Sequence, residues 1–344
     1  MASIAEFQEV VPTLESYWRS IILFGSNVAS YKFALGKSLL ELSEQGKTHI
    51  TLDELAVPFS KHICEHLQSA PKQATSQSSR FLNACKDYND GKISYDKLIS
   101  TTVSLGFNNV IDAFHVVNRE NIPIQFYVKD YSGLNKQIIL TDEIYKLKEN
   151  PFSGNLTVET ESRWNLIETA WELGINRNLL NVRYDDKSQV LFVDEDYRRK
   201  DVTSVRGALN GYQKGKCFYC YDDIVVTDDE TNTCDVDHFF PHMLQPFMPD
   251  INLDGVWNLV LTCRDCNRGP KGKFAQVPAI KYLERLYKRN EFLISSHHPL
   301  RETIIRQTGS TPQARHDFLA MVDKRAINNL ITRWSIEPKG DATF

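Results

Sequence analysis

The chain has 344 residues, of which 42% are hydrophobic and 24% are charged, and its formal net charge at pH 7 is −4. These proportions are ordinary for a folded protein and leave room for two domains, while the near-neutral balance gives no indication of nucleic-acid binding. The longest apolar runs span a few residues, whereas a membrane helix needs roughly 20, and the first residues do not match a secretory leader. We therefore expect a cytoplasmic protein without membrane contact.

The first 120 or so residues carry helical patterns. Apolar residues recur at helical spacing from about Leu14 to Leu42. Thr51 followed by Glu54 is the start of a capping box, in which each residue satisfies a backbone group of the other. The predicted helices cover residues 14–42, 51–67, 95–105 and 110–117.

From residue 122 the pattern changes to short strands. Strands are predicted over 124–128 and 137–141, a helix is predicted around Trp164 that ends at Gly174, and a hairpin joins 180–184 to 190–193. The charged run 197–201 indicates a loop, so we place a domain boundary near 196–202.

The C-terminal third has helical patterns again. Helices are predicted over 280–294 and over 300–307, the second ending at Gly309. Ser310, Thr311 and Pro312 then start a further helix, because proline is favoured in the first turn.

Four of the seven cysteines form two C-x-x-C pairs, Cys217 with Cys220 and Cys263 with Cys266. In a chain without an export leader, such pairs indicate metal binding before disulfides. Four thiolates at these spacings match a closed tetrahedral zinc site, in which the metal contributes to folding. By itself this pattern predicts a structural clip and no activity.

A second motif lies between and just after the cysteine pairs. Residues 236–241 read Val-Asp-His-Phe-Phe-Pro, residues 258–259 read Asn-Leu, and Asn267 follows the last cysteine. This order resembles the HNH endonucleases, or ββα-metal nucleases, in their zinc-ribbon variety, whose pattern is C-x-x-C, D-H-x-x-P, then N-L-x-x-x-C-x-x-C-[HN]. The resemblance covers about 60 residues, from Cys217 to Lys273. The interval between His238 and Asn258 is long, so we expect an inserted loop over 243–254.

The resemblance implies a role for each residue of the motif. His238 corresponds to the general base, and an imidazole can take a proton from water near neutral pH. Asp237 and Asn267 correspond to the ligands of a catalytic ion, and their oxygens suit Mg²⁺ or Mn²⁺. Asn258 corresponds to the catalytic-loop asparagine, whose side chain holds the loop so that the base faces the phosphate.

Each of these residues also has a structural interpretation. Asp237 alone could be a turn residue, His238 a core histidine, and Asn258 and Asn267 helix caps. His242 could contact phosphate or assist the leaving group, or be an ordinary loop histidine. The order and spacing of the whole set favour the nuclease interpretation.

Basic residues around and after the second cysteine pair are expected to contact the phosphates of nucleic acid. They are Arg264, Arg268, Lys271 and Lys273. A helix face further on carries Lys281, Arg285, Lys288 and Arg289, for which an ordinary solvated face is an equal alternative. Residues 211–275 carry six basic and ten acidic residues and residues 276–344 carry eleven and seven, which suits a cation site beside a phosphate site.

The sequence thus predicts an α+β protein. Residues 1–200 should form a mainly helical region with a small sheet, and residues 201–344 a nuclease domain with a core over 211–275 and a helical tail. We expect structural zinc, catalytic Mg²⁺ or Mn²⁺, and hydrolysis of phosphodiester bonds in DNA. By analogy, the resemblance implies a bacterial restriction or antiviral defence system in which residues 1–200 sense a trigger or dock a partner protein. The alternatives are a non-catalytic zinc module that binds nucleic acid or protein, and an enzyme that cuts RNA or nicks one strand.

Overall fold

The computed structural model describes residues 12–25, 28–75, 79–117, 119–133, 135–172, 183–195, 198–227, 234–296 and 298–343. The chain divides into two compact units, one over Pro12–Gly174 and one that includes Ile175–Phe344. Both units combine helices with small sheets, so the fold class is α+β as predicted. In the described ranges, no helix is long and apolar enough to span a lipid bilayer.

The N-terminal unit consists mainly of helices. Those described are α1 (Leu14–Phe24), α2 (Tyr31–Ser43), α3 (Leu52–Ser69), α4 (Arg80–Asn89), α5 (Tyr95–Thr101), α6 (Val110–Ala113), α7 (Asp142–Glu149) and α8 (Gly154–Glu172). Helix α5 continues into a π-helical turn, Thr102–Gly106. The predicted capping box of α3 is confirmed: Thr51 accepts from the backbone N–H of Glu54, and Glu54 accepts from that of Thr51. The end predicted for α8, at Gly174, lies outside the described residues.

The single helix predicted over 14–42 is wrong, because this segment forms α1 and α2. At Gly25 the backbone leaves the helical conformation, with φ −64° and ψ 151°. The buried Lys32 ammonium of α2 then donates to the carbonyls of Ile21, Ile22 and Gly25 at 3.3, 3.3 and 2.7 Å. The N–H of Gly25 also donates to the carbonyl of Ile21, so the Lys32 ammonium adds hydrogen bonds at the C-terminal end of α1, where carbonyls lack intrahelical partners and a cation is favoured.

Small antiparallel sheets complete the N-terminal unit. Its strands are β1 (His49–Thr51), β2 (Val116–Val117), β3 (Glu120–Asn121), β4 (Tyr127–Asp130) and β5 (Gln137–Leu140). One sheet has the order β1-β5-β4 and the other pairs β2 with β3. The strand predicted over 137–141 is confirmed as β5, whereas the one predicted over 124–128 begins three residues later, as β4. Strand β1 was not predicted.

The C-terminal unit begins with a three-stranded antiparallel sheet of β6 (Arg183–Asp185), β7 (Val190–Glu195) and β8 (Arg198–Ser204). The predicted hairpin is confirmed over its described part, and residues 180–182 lie outside it. The loop predicted over 197–201 is wrong from Arg198 onward, because β8 pairs with β7 from Glu195↔Arg198 to Val190↔Ser204. This sheet belongs to the C-terminal compact unit, which is separated from the N-terminal unit at Gly174.

The rest of this unit carries the motif residues. Its elements are α9 (Val205–Gln213), β9 (Asp235–His238), β10 (Leu259–Thr262), α10 (Arg264–Arg268), β11 (Val277–Pro278), α11 (Ile280–Ser295), α12 (Leu300–Thr308), α13 (Pro312–Leu330) and β12 (Arg333–Trp334). Strand β9 pairs antiparallel with β10, and β11 pairs parallel with β12. The helices predicted in the C-terminal third are confirmed as α11, α12 and α13, with Gly309 after α12 and Thr311 capping α13.

Candidate metal centre and active site

The first cysteine pair lies in a turn that follows α9. Gln213, the last residue of α9, bonds both backbone groups of Leu261 through its amide, at 2.8 Å each. After the pair, Tyr221 adopts a positive φ of 63°, and its N–H donates to the carbonyl of Cys217. The first knuckle is therefore bonded to β10, the strand that leads directly into the second cysteine pair.

The four predicted cysteines form one cluster. The Sγ atoms of Cys217, Cys220, Cys263 and Cys266 all lie within 4.8 Å of one another, and those of Cys220 and Cys263 are 3.7 Å apart. A tetrahedral zinc ion with Zn–S bonds of about 2.3 Å separates its sulfurs by about 3.8 Å. Three of the cysteines are buried and Cys263 is half-buried. The cluster therefore has the size and the ligand chemistry for a zinc ion.

Strands β9 and β10 and helix α10 follow one another as a ββα unit. In the antiparallel pair, His238 lies opposite Leu259, and Asp237 lies opposite Val260. All four residues of β10 are buried, and α10 begins two residues after β10 ends. Asp237 and His238, two residues of the HNH-like motif, thus end β9, and a third, Asn267, lies on α10.

His238 is half-buried and hydrogen-bonded to a carboxylate that the sequence analysis did not assign. Its Nε2 lies 2.9 Å from Oδ1 of Asp254, and the Nε2 of His242 lies 3.4 Å from the same oxygen. The hydrogen bond with His238 holds the pKa of Asp254 below its ordinary value. Asp254 lies at the end of the predicted loop insertion, where the resemblance gives no residue a role.

Asn258 is completely buried, and all of its polar side-chain atoms are bonded. Its Oδ1 accepts from the N–H of Phe240 at 2.8 Å, and its Nδ2 donates to the carbonyls of Phe240 and Leu253 at 3.0 and 2.8 Å. These bonds tie the start of the loop between β9 and β10 to its end. Asn258 therefore occupies a position from which it holds the loop and cannot itself contact a substrate.

Asp237 is buried between two donors. Its Oδ2 accepts from the Tyr219 hydroxyl at 2.8 Å, and its Oδ1 lies 3.1 Å from the Lys273 ammonium. Burial raises the pKa of Asp237, and the charge of Lys273 opposes that effect. Lys273 is itself fully buried and donates to the carbonyls of His238 and Phe274. This position corrects the phosphate-binding prediction for Lys273, because a buried ammonium with three acceptors has no surface for phosphate.

Asn267 makes its hydrogen bond to a different carboxylate. Its Nδ2 donates to Oδ2 of Asp235 at 3.1 Å, and Arg268 forms an ion pair with the same carboxylate. Because Nδ2 of Asn267 donates to Asp235, the oxygen of the same amide points away from Asp235. The hydrogen bonds and ion pairs therefore join Asn267 to Asp235, and Asp237 to Tyr219 and Lys273.

Carboxylate and amide oxygens, such as those of Asp237 and Asn267, are the ligands that hard divalent cations prefer. Each oxygen of the Asp237 carboxylate accepts one hydrogen bond and keeps a further lone pair, and metal-binding carboxylates are normally hydrogen-bonded in this way. The positive charge of Lys273 would repel any metal cation that binds close to Asp237. In the described part of the chain, the four cysteines are the one group of three or more metal-ligating side chains close enough together to hold an ion.

The other predicted basic residues divide into exposed and internal ones. Arg264 and Lys271 are exposed, and Arg268 is exposed although it pairs with Asp235. On α11, Arg285 donates to backbone carbonyls of the first knuckle, and Arg289 donates to carbonyls just before and at the start of β10. Burial lowers the pKa of Arg289 to about 9. These two arginines support the knuckle and the strand, so the predicted phosphate-binding face of α11 does not form as a unit.

No protein-family model, no curated protein and no solved structure matches the chain. Its function therefore has to be inferred from the chemistry of its own residues.

Proposed function

We propose that the chain is an HNH-type endonuclease that hydrolyses phosphodiester bonds in DNA with the help of Mg²⁺ or Mn²⁺. One observation carries this proposal: His238 ends β9, the strand that pairs with the one leading into the second cysteine pair, and a carboxylate and a loop-holding asparagine fix its surroundings. A zinc module that only stabilises a fold needs no imidazole held in this way by a carboxylate. The biological setting that we propose, a restriction or antiviral defence system, rests on analogy alone.

His238 supplies the proton acceptor that the reaction requires. Attack of water on a phosphodiester needs a base within hydrogen-bond reach, and an imidazole is suited to that task near neutral pH. A divalent ion held by Asp237 and Asn267 would stabilise the negative charge that develops on the phosphate oxygens. Asn258 keeps the loop, and with it the base, in one arrangement.

Exposed basic residues next to α10 would hold the nucleic-acid backbone. Arg264 and Lys271 flank the segment that carries Asn267, and both are exposed. Contacts to phosphate position a duplex without reading its sequence. This arrangement supports binding of a phosphodiester backbone, whereas the preference for DNA over RNA comes from the resemblance.

A cleavage panel tests the proposal. The purified chain is incubated with supercoiled DNA, linear DNA, single-stranded DNA and RNA, each with Mg²⁺, Mn²⁺ or EDTA. We expect DNA cleavage that requires the divalent ion, and a rate for His238→Ala that is about 10²–10⁴-fold lower. His316→Ala, an exposed histidine of α13, is the matched control and should cut like wild type.

The other outcomes of the panel decide between the alternatives. Binding of nucleic acid without cleavage under any condition would favour a non-catalytic zinc module. Cleavage of RNA alone would change the substrate, and conversion of supercoiled DNA to open circles alone would identify a nicking enzyme. Retention of more than about a tenth of the rate by His238→Ala would remove His238 from the role of general base.

A further inference from the structure

The contact between His238 and Asp254 determines which nitrogen of the imidazole carries a proton. Nε2 of His238 lies 2.9 Å from Oδ1 of Asp254. An ionised carboxylate can only accept hydrogen bonds, so Nε2 must be the donor. Nδ1 of the neutral ring then carries the lone pair, and no residue in the described part of the chain hydrogen-bonds to it.

Asp254 is held in place by its neighbours and not only by His238. Its N–H donates to Oδ1 of Asn252 at 3.0 Å. The residue before it, Leu253, donates its N–H to Gln245 and accepts at its carbonyl from Asn258. Hydrogen bonds therefore hold the loop backbone at Leu253 and Asp254, and with it the position of the Asp254 carboxylate.

Asn258 links the two partners of this contact. The same side chain that bonds Leu253, one residue before Asp254, also bonds Phe240, two residues after His238. An incidental surface ion pair would have no such link through a buried side chain. The His238 side chain is only 13% exposed, whereas His242, which shares the carboxylate at 3.4 Å, is 57% exposed.

We propose that Asp254 is a positioning residue for His238: it fixes the tautomer with the proton on Nε2, so that Nδ1 is the atom that accepts the proton of the attacking water. The catalytic part of this inference rests on the proposed nuclease function, whereas the tautomer does not. A comparable task, in which a carboxylate orients a catalytic histidine without taking its proton, is known from hydrolases.

The reaction step then balances as follows. The bond between the water oxygen and phosphorus forms while the water proton moves to Nδ1 of His238. The imidazolium keeps both protons, and its positive charge faces the carboxylate of Asp254, which stays ionised. The bond between phosphorus and the leaving ester oxygen breaks, and the leaving oxygen takes a proton from solvent.

Nitrogen-15 NMR of histidine-labelled protein tests the tautomer directly. Long-range correlation of ring nitrogens with ring protons distinguishes the two tautomers, and the spectrum of His238→Ala identifies the resonances of His238. We expect the Nε2-protonated form in wild type and a mixture of tautomers in Asp254→Ala. Asp254→Asn should keep the wild-type tautomer, because its amide oxygen can still accept from Nε2. Protonation at Nδ1 in wild type, or the same tautomer in Asp254→Ala as in wild type, would overturn the inference.

Cleavage kinetics test the catalytic consequence. Asp254→Ala should lower kcat about 10–100-fold, the loss expected when a residue that orients a reacting group is removed. KM for DNA should not rise, because the negative carboxylate of Asp254 can only repel the phosphates and its removal takes away no attraction. Asp254→Asn should be intermediate. Asp250→Ala is the matched control, because Asp250 is an exposed aspartate of the same loop that pairs with Arg325.

The two readouts separate this inference from the function on which it rests. Equal kcat values for wild type and Asp254→Ala, with DNA cleaved by both, would refute the positioning role while the nuclease function stands. A wild-type chain that cuts no nucleic acid would refute the nuclease function, and the NMR spectra would still decide the tautomer. Melting temperature and zinc content of each variant are measured alongside, so that a variant with altered fold is recognised.

Discussion

Lys273 and Arg289 are both buried in the C-terminal unit, and both donate to main-chain carbonyls. Lys273 also neutralises Asp237, whereas Arg289 forms no ion pair among the described residues. Burying a charge is costly unless hydrogen bonds or an opposite charge compensate. These two side chains therefore stabilise the strands that carry the site and do not bind the substrate.

The contrast between Lys273 and Lys271 can be measured. Lys273→Met should destabilise the protein by about 3–5 kcal/mol, since it leaves the buried Asp237 carboxylate without its counter-ion. Lys271→Met should leave the melting temperature unchanged and weaken DNA binding, more so at low salt. Melting curves and binding titrations at two salt concentrations test both expectations. A Lys273→Met variant that melts like wild type would contradict the internal role.

In the N-terminal unit, His66 forms a buried ion-pair network. Its ring stacks on Trp164, and its two nitrogens lie 2.7 Å from Glu168 and 3.1 Å from Glu161. The two carboxylates outweigh burial and raise the pKa of His66 to about 9, and His66 in turn helps to lower the pKa of Glu161 to about 2. The imidazole is therefore charged in the folded unit at neutral pH.

This network predicts a loss of stability in alkaline solution. The folded pKa of His66 lies above the unfolded value of about 6.5, so its contribution is complete below that pH and disappears as the pH rises through 9. The melting temperature of wild type should fall more between pH 7 and pH 9.5 than that of His66→Gln. Parallel curves for the two proteins would mean that His66 is not charged in the fold.

Sequence order could identify the residues of the motif but not all of their contacts. The cysteines are recognisable by the spacing within each C-x-x-C pair, and His238 and Asn258 by the adjacent residues that complete the Asp-His and Asn-Leu pairs. The burial of Lys273 could not be predicted, since a lysine in a basic run has the same local sequence whether it faces solvent or a carboxylate. Asp254 was missed because a loop insertion has no fixed spacing from the residue that it contacts.

At the scale of elements, the two cysteine knuckles and the strand between them form the frame of the site. Gln213 bonds the first knuckle to β10, and β10 leads into the second knuckle. A metal ion held by both knuckles would therefore fix the position of β10 and of its partner β9. Loss of the ion should disturb His238 at the end of β9 as well as the cluster.

Replacement of one cysteine tests this coupling. Wild type should contain one zinc per chain, and Cys263→Ser should lose zinc, melt at a lower temperature and lose activity, because structural zinc contributes folding energy. Cys64→Ser, in the N-terminal unit, is the matched control for zinc content. Freshly purified protein without zinc, or a Cys263→Ser variant that melts like wild type, would contradict the zinc assignment.

Elements were predictable where a local signal determines them. The capping box of α3 and the proline start of α13 depend on adjacent residues, and both helices form where the sequence indicates. The break between α1 and α2 is accompanied by a hydrogen bond from Lys32 back to the carbonyl of Gly25, which periodicity cannot reveal. Strand β8 is similar, because its pairing with β7 stabilises a charged segment whose own composition favours a loop.

At the scale of the whole molecule, every residue of the proposed active site belongs to the C-terminal unit. The fold class could be predicted from the alternation of helical and strand patterns, whereas the division at Gly174 could not, since the sheet of β6, β7 and β8 joins the C-terminal unit through pairing. The sensing or docking role of the N-terminal residues remains a prediction.

The central claim is that two metals have different tasks: zinc, enclosed by four thiolates, supports the fold, and a separate divalent ion on oxygen ligands supports the hydrolysis. The most direct measurement is the rate of supercoiled DNA cleavage before and after brief treatment with EDTA, with zinc content determined on the same sample. We predict that cleavage stops while one zinc per chain remains bound, and that Mg²⁺ or Mn²⁺ restores it. Cleavage that survives chelation, or that returns only when zinc is added, would contradict the account.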